Sequence, residues 1–144
     1  MNITQVTSTI YRSAQPQSAA DFEQIMSLGI TAIIDLENES GESPWEKAQW
    51  MHYSDEINFH SFPLSSLFPP KADIIDQILK TMYLTPNHEK ILVHCLHGQD
   101  RSGLICGLYR RKYQGWSRCA AWREMLDRGF HPILLGLSWY YWTA

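Results

Sequence analysis

Cys95 ends the apolar run Ile91-Leu92-Val93-His94 and is separated by five residues from Arg101, which Ser102 and Gly103 follow. A strand that runs into a tight loop and then a helix turns successive backbone N–H groups onto one anion, with the positive end of the helix behind them. Arg101 closes such a ring because its planar, permanently charged fork holds two oxygens at once. The same local field favours a thiolate on Cys95, which makes that side chain a nucleophile rather than a packing group. Leu96, His97, Gly98, Gln99, Asp100 and Arg101 are therefore predicted to bind a phosphate-like anion that Cys95 attacks. Gly98 reads as a position that needs unusual dihedrals or close approach to the anion. Ser102 can serve the sulfur or cap the following helix, and one hydroxyl can do both. A zinc site built on His94, Cys95 and His97 lacks the paired Cys-x-x-Cys or His-x-x-x-His partners that complete such sites. A sulfur-transfer loop also presents a cysteine to an anion, but the Arg-Ser-Gly ending suits phosphate better. Neither a metal nor a cofactor is expected.

These residues need a scaffold that delivers them to one edge, and the surrounding pattern supplies it. Strands are predicted over residues 3–6, 9–12, 31–36, 58–64 and 91–94. A helix over 18–28 carries Ser18 and Asp21 as a capping box and stops at Gly29. Further helices are predicted over 44–53 and over 71–84, where Ile74, Ile75, Ile78, Leu79 and Met82 share one stripe. After the loop come a helix over 102–113, with Leu104, Ile105 and Leu108 inward and Arg110, Arg111 and Lys112 at its negative end, a helix that Ser117 caps and that ends near Gly129, and a last helix over 132–142. This alternation predicts an α/β fold with a mostly parallel central sheet flanked by helices. Ligands then bind beyond the carboxyl ends of the strands, where Cys95 lies.

The 144 residues, 44% hydrophobic and 19% charged, suit a single domain over residues 1–144 whose core needs no disulfide. A net charge of −3 gives no general basic face, so nucleic acid is not an expected partner and attraction for phosphate must be local. No stretch approaches the ~20 apolar residues of a spanning helix and the N-terminus lacks a signal-peptide pattern, so membrane insertion is not expected. Cys95, Cys106 and Cys119 show no framework spacing, and a reactive thiol fits a reducing cytoplasm. Cys106 and Cys119 read as buried helix residues, although a second thiol near Cys95 could protect it as a reversible disulfide. Trp45, Trp50, Trp116, Trp122, Trp139, Trp142, Tyr140 and Tyr141 read first as packing residues, with run 138–142 as an alternative surface patch. The oligomeric state is left open.

His94-Cys95, Gly98 and Arg101-Ser102-Gly103 resemble the His-Cys-five residues-Arg-Ser/Thr signature of cysteine-dependent protein tyrosine and dual-specificity phosphatases. Tyr11-Arg12-Ser13-Ala14-Gln15-Pro16, Phe62-Pro63-Leu64 with Pro69-Pro70, and Gln114-Gly115-Trp116-Ser117 resemble the compact atypical group of bacterial type, so the similarity covers nearly the whole chain. It implies a protein tyrosine phosphatase-like fold and phosphomonoester hydrolysis through a phosphocysteine intermediate. In that scheme Cys95 attacks phosphorus, Arg101 and the loop amides hold its oxygens, Ser102 helps the sulfur leave, and His94 orients the loop as a supporting residue. Arg12 and Ser13 support the fold.

The general acid departs from the family pattern. Relatives carry an aspartate on a loop some thirty residues before the nucleophile, whereas residues 62–70 here hold Ser65 and Ser66 and no carboxylate. Asp100 resembles the Asp-Arg-Ser/Thr ending of myotubularin-like and Sac-type phosphoinositide phosphatases, where a loop aspartate acts as acid. An ionised Asp100 would oppose the thiolate, whereas a protonated one would be placed to donate. Outward pairing with a basic group is the competing role. His97, Asp73 and Asp76 are lesser candidates. The loop interior has no lysine, and Glu37, Glu39 and Glu42 follow the strand over 31–36 as a solvated loop or a screen against polyanions. The expected partner is therefore a phosphorylated protein, phosphotyrosine first, or a small phosphomonoester. A phosphoinositide phosphatase and a noncatalytic phosphate-binding module are the alternatives.

Overall fold

The computed structural model describes residues 1–37 and 44–144, so the expectations for Glu39 and Glu42 lie outside the described residues. The described residues form, in order, β1 (Ile3–Gln5), β2 (Ile10–Ser13), α1 (Ala19–Ser27), β3 (Ile30–Asp35), α2 (Pro44–His52), β4 (Asn58–Ser61), α3 (Ala72–Tyr83), β5 (Lys90–His94), α4 (Arg101–Tyr113), α5 (Arg118–Asp127) and α6 (Leu135–Thr143). The strands form one sheet in the order β1-β2-β5-β3-β4. Only the β1–β2 pair is antiparallel; β2 with β5, β5 with β3 and β3 with β4 run parallel. The α/β fold with a mostly parallel, helix-flanked sheet is thus the observed one.

Parallel strands are covered on both faces, and period-two alternation assigns their side chains to two cores. Ile10, Ile34 and Val93 point into a cluster with Ile75 and Ile78 of α3, Leu104, Ile105 and Leu108 of α4, Met125 of α5 and Tyr141 of α6. Tyr11, Ile33 and Leu92 point to the other face, against Phe22 and Ile25 of α1 and Trp45 of α2. Helix α4 is buried at every residue from Arg101 to Tyr109, which fixes the helix that starts at the cysteine loop more firmly than its neighbours. A Cβ at Gly107 would lie 2.6 Å from the Met125 sulfur, so glycine there sets how closely α5 packs on α4.

Ser18 caps α1 by accepting from the Asp21 N–H at 3.2 Å, but the Asp21 carboxylate reaches back to the N–H of Gln17, one residue outside the expected box. Ser117 caps α5 as expected. Helix α6 begins at Leu135 rather than residue 132, because residues 131–134 form a turn in which the Leu134 N–H donates to His131 O. Cys119 is exposed in the first turn of α5, against expectation, whereas Cys106 is buried. Trp139 is also largely exposed, so it is not a core residue. No helix among the described residues is long and apolar enough to cross a membrane.

Candidate active site

Strand β5 lies in the middle of the sheet, between β2 and β3, and its carboxyl end delivers Cys95 to the start of α4. Gly98 turns the loop with φ +72, and a Cβ there would sit 2.7 Å from the Ala14 nitrogen and the Ser13 carbonyl carbon. Both the dihedral and the space therefore require glycine. The segment after β2 braces the loop from outside. The buried Arg12 guanidinium donates to Gly98 O at 3.1 Å, and the Gln15 N–H donates to Leu96 O at 3.2 Å.

Cys95 is buried, and its Sγ–H donates to Ser102 Oγ at 3.4 Å. Ser102 is the second residue of α4 and does not cap it; Asp100 occupies the cap position without a side-chain capping bond. The serine hydroxyl is thereby left to the sulfur. Arg101 is held by one donation from Nη1 to Leu64 O at 3.2 Å, and Leu64 is in turn tied to the sheet through Leu36 O. The Phe62-Pro63-Leu64 segment thus positions the arginine rather than contributing a charged group.

Asp100 faces the turn before α6. Its Oδ1 accepts from the His131 backbone N–H at 2.8 Å and lies 3.0 Å from His131 Nδ1, with Oδ2 3.1 Å from the same nitrogen. His131 was not visible as a site residue in the sequence. The lesser acid candidates are elsewhere: Asp73 is exposed and accepts from the N–H of Ile74 at the start of α3, and Asp76 pairs with Lys112, eleven residues along α4 from Arg101 and so ~16 Å away at the helical rise. His97 is exposed and lines a small cavity of about 220 Å³ with Arg12, Ser13 and Arg128.

Directly before the nucleophile the structure departs most from the sequence reading. Glu37 is fully buried and belongs to no solvated screen. Its Oε1 lies 3.5 Å from His94 Nδ1, while Glu46 of α2 places Oε1 2.8 Å from His94 Nε2. Gln15 donates to the other Glu37 oxygen at 2.7 Å, and Asp35 accepts from the Glu37 N–H. Burial alone would lower the His94 imidazole, but Glu37 and Glu46, with the charge of Asp35 beyond, outweigh it and raise His94 to about 10. Burial raises Asp35 to about 7, against the opposing pull of His94. Asp35, Glu37 and His94 can bring one ligand atom each within 4.8 Å of one another. Both ring nitrogens of His94 lie near a carboxylate, Glu37 on one side and Glu46 on the other, so the cluster reads as a buried ion pair.

The sequence pattern of the tyrosine phosphatase family matches residues 1–131. The dual specificity protein phosphatase TpbA of Pseudomonas aeruginosa is 26% identical over 134 residues, which are 90% of this chain and 56% of that protein. The inositol diphosphatase DSP3 of Arabidopsis thaliana is 28% identical over 142 residues, 96% of this chain and 64% of the relative. The chain thus spans little more than half the length of the first of these relatives. Among solved structures, P. aeruginosa TpbA superposes with a TM-score of 0.80 at 24% identity, over 99% of this chain and 84% of that one. The core catalytic domain of the S. cerevisiae PP-IP phosphatase SIW14, in complex with citrate, gives 0.74 at 27% identity, over 90% and 76%.

Proposed function

Because this chain belongs to the tyrosine phosphatase family, we propose that it hydrolyses phosphomonoesters through a phosphocysteine intermediate, with residues 1–144 as one catalytic domain. The observation that carries this reading is the 3.4 Å contact between Cys95 Sγ and Ser102 Oγ at the start of the helix that also presents Arg101. Cys95 Sγ attacks phosphorus, forming the S–P bond as the P–O bond to the leaving group breaks. Arg101 and the loop N–H groups hold the other oxygens as charge builds on them. The leaving oxygen takes a proton, which we assign to Asp100 in its pair with His131. No carboxylate stands in residues 62–70 to take that role. Water then attacks phosphorus, giving its proton back to the Asp100–His131 pair, as the S–P bond breaks and the sulfur leaves as a thiolate that the Ser102 hydroxyl stabilises by donating to it. Leu96, His97, Gly98 and Gln99 complete the binding loop, and His94 supports it.

A phosphorylated protein is the favoured substrate, phosphotyrosine first, with small phosphomonoesters also accepted; the similarity to the dual specificity protein phosphatase TpbA supports this. The inositol diphosphatases among the relatives favour a second reading, a polyphosphorylated inositol; the lack of any lysine within residues 95–101 weighs against it. A reactive thiol supports a reducing cytoplasm as its compartment. The test is release of phosphate from p-nitrophenyl phosphate in the presence of a chelator, with inhibition by vanadate. Tight vanadate binding without turnover would make the chain a phosphate-binding module instead.

A further inference from the structure

The two segments that touch the loop from either side carry large apolar side chains outward. Leu67 and Phe68 are 67% and 69% exposed, and Ile133 and Leu135 are 81% and 74% exposed. Both segments are fastened to the cradle. Arg101 bonds Leu64 O at the root of the first, and His131, at the root of the second, is bonded to Asp100. They are also fastened to each other: a Cβ at Gly136 would lie 2.5 Å from Leu67 O and 2.9 Å from the Phe68 carbonyl carbon, so the first segment rests on the start of α6 without an intervening side chain. Ser65 Oγ accepts from the N–H groups of Leu67 and Phe68, which fixes how the first segment presents them. Residues 62–70 and 129–139 contain no lysine, arginine or carboxylate, and His131 is their one titratable side chain.

From this continuity we propose that Leu67, Phe68, Ile133 and Leu135 form an apolar lip that docks the apolar residues flanking a phosphorylated residue in an extended protein segment. The proposal rests on the phosphatase reading and names its substrate class. Apolar side chains left in water on a preformed surface gain by covering one another. A polyanion gains nothing from a lip without cations, and an anionic membrane surface would likewise find no basic residue there to hold it.

The test compares two phosphotyrosyl peptides of equal length, one with leucine and isoleucine beside the phosphotyrosine and one with glutamate there, against p-nitrophenyl phosphate as reference. Turnover is measured for the wild type and for Phe68→Ser and Leu135→Ser, and peptide affinity is measured separately on Cys95→Ser. The expected result is a kcat/KM about tenfold higher for the apolar peptide, carried by KM and matched by tenfold tighter binding to Cys95→Ser, the order expected when one apolar side chain finds its pocket. The gap should shrink to about twofold in the lip variants. Turnover of p-nitrophenyl phosphate with no preference between the peptides overturns the lip while leaving the phosphatase reading intact. Apolar preference in binding without any turnover keeps the lip and removes the phosphatase. A stable dimer that Phe68→Ser dissociates, or activity confined to phosphorylated lipid in vesicles, reassigns the surface to a second copy or to a membrane and overturns the proposal.

Discussion

His94 and Cys95 are consecutive, yet they found two opposite kinds of charged site at the end of β5. Cys95 packs with the α3–α6 side of the sheet and bonds Ser102. His94 reaches Glu37 beyond β3 and Glu46 on α2. On the Cys95 side lie the start of α4, its Arg101 and the loop, which under the proposed function hold a phosphate dianion. On the His94 side a buried imidazolium has a Glu37 oxygen 3.5 Å from one nitrogen and a Glu46 oxygen 2.8 Å from the other. Opposite charges paired within the protein hold backbone in place, whereas positive donors open to a ligand can bind it. The chemistry therefore sits on one side of the strand end and its foundation on the other, and substitutions on the two sides should separate turnover from stability.

The sharpest separation is at Cys95 itself. Cys95→Ser should remove turnover below detection while vanadate or phosphate binding and the melting temperature stay near wild type, because only the nucleophile is lost. Arg101→Lys should damage both binding and turnover, since an ammonium cannot reproduce the planar fork. Substantial activity in purified Cys95→Ser would move the nucleophile elsewhere. Next in size is Asp100→Asn. If the Asp100–His131 pair delivers the proton, alkyl phosphates should slow by about 10²–10⁴-fold and p-nitrophenyl phosphate far less, because its phenolate leaves unaided. His131→Ala should give a similar loss, and the double variant should be little worse than either. Equal losses for both leaving groups would make the pair a structural tie between the loop and the turn before α6.

On the other side the effect should fall on stability. Glu46→Gln or His94→Gln breaks a buried pair and should cost about 3–5 kcal/mol, read from denaturant unfolding, with the p-nitrophenyl phosphate rate per folded molecule changed much less. The pH dependence has a defined sign. The folded value of His94, about 10, lies above its ordinary 6.5, so the folded state holds that proton more tightly. This stabilisation is complete below pH ~6.5 and is lost as the pH rises through about 10. Asp35, raised from 3.8 to about 7, has the same sign in a lower window. Melting temperature should therefore decline from mildly acidic to alkaline pH, and His94→Gln should flatten the upper part of that decline. An unchanged profile would mean that the imidazolium between Glu37 and Glu46 does not govern it.

The same contrast explains what could be read from sequence. Cys95, Gly98, Arg101 and Ser102 lie within one strand–loop–helix turn, so local spacing already reports their geometry. The strands were legible because apolar blocks between turn residues have few other uses. His131 was not, because it meets Asp100 across 31 residues and nothing in Phe130-His131-Pro132 distinguishes it. Nothing in the sequence singles out Glu46, and Glu37 reads as part of a solvated loop or a screen against polyanions after a strand. Only their meeting with His94 converts them into a buried clamp. The close approach of residues 67–69 to Gly136 is likewise not local in sequence, so Phe68 and Leu135 read there as ordinary apolar residues.

The smallest expected effect isolates the second chemical step. Ser102→Ala removes the hydroxyl 3.4 Å from Cys95 Sγ without touching Arg101 or the loop turn. In the first step the sulfur attacks, and in the second it must leave with a negative charge that this hydroxyl stabilises. A hydrogen bond to a charged group contributes about 1.5–3 kcal/mol, so hydrolysis of the phosphocysteine should slow by about 10–100-fold. The variant should then release p-nitrophenol in a burst approaching one equivalent per enzyme, followed by a slow steady rate, and phosphocysteine should be recoverable at Cys95 after acid quench. Slower release without a burst would instead place the serine's contribution in the attack step, as a hydroxyl that favours the thiolate before phosphate is transferred.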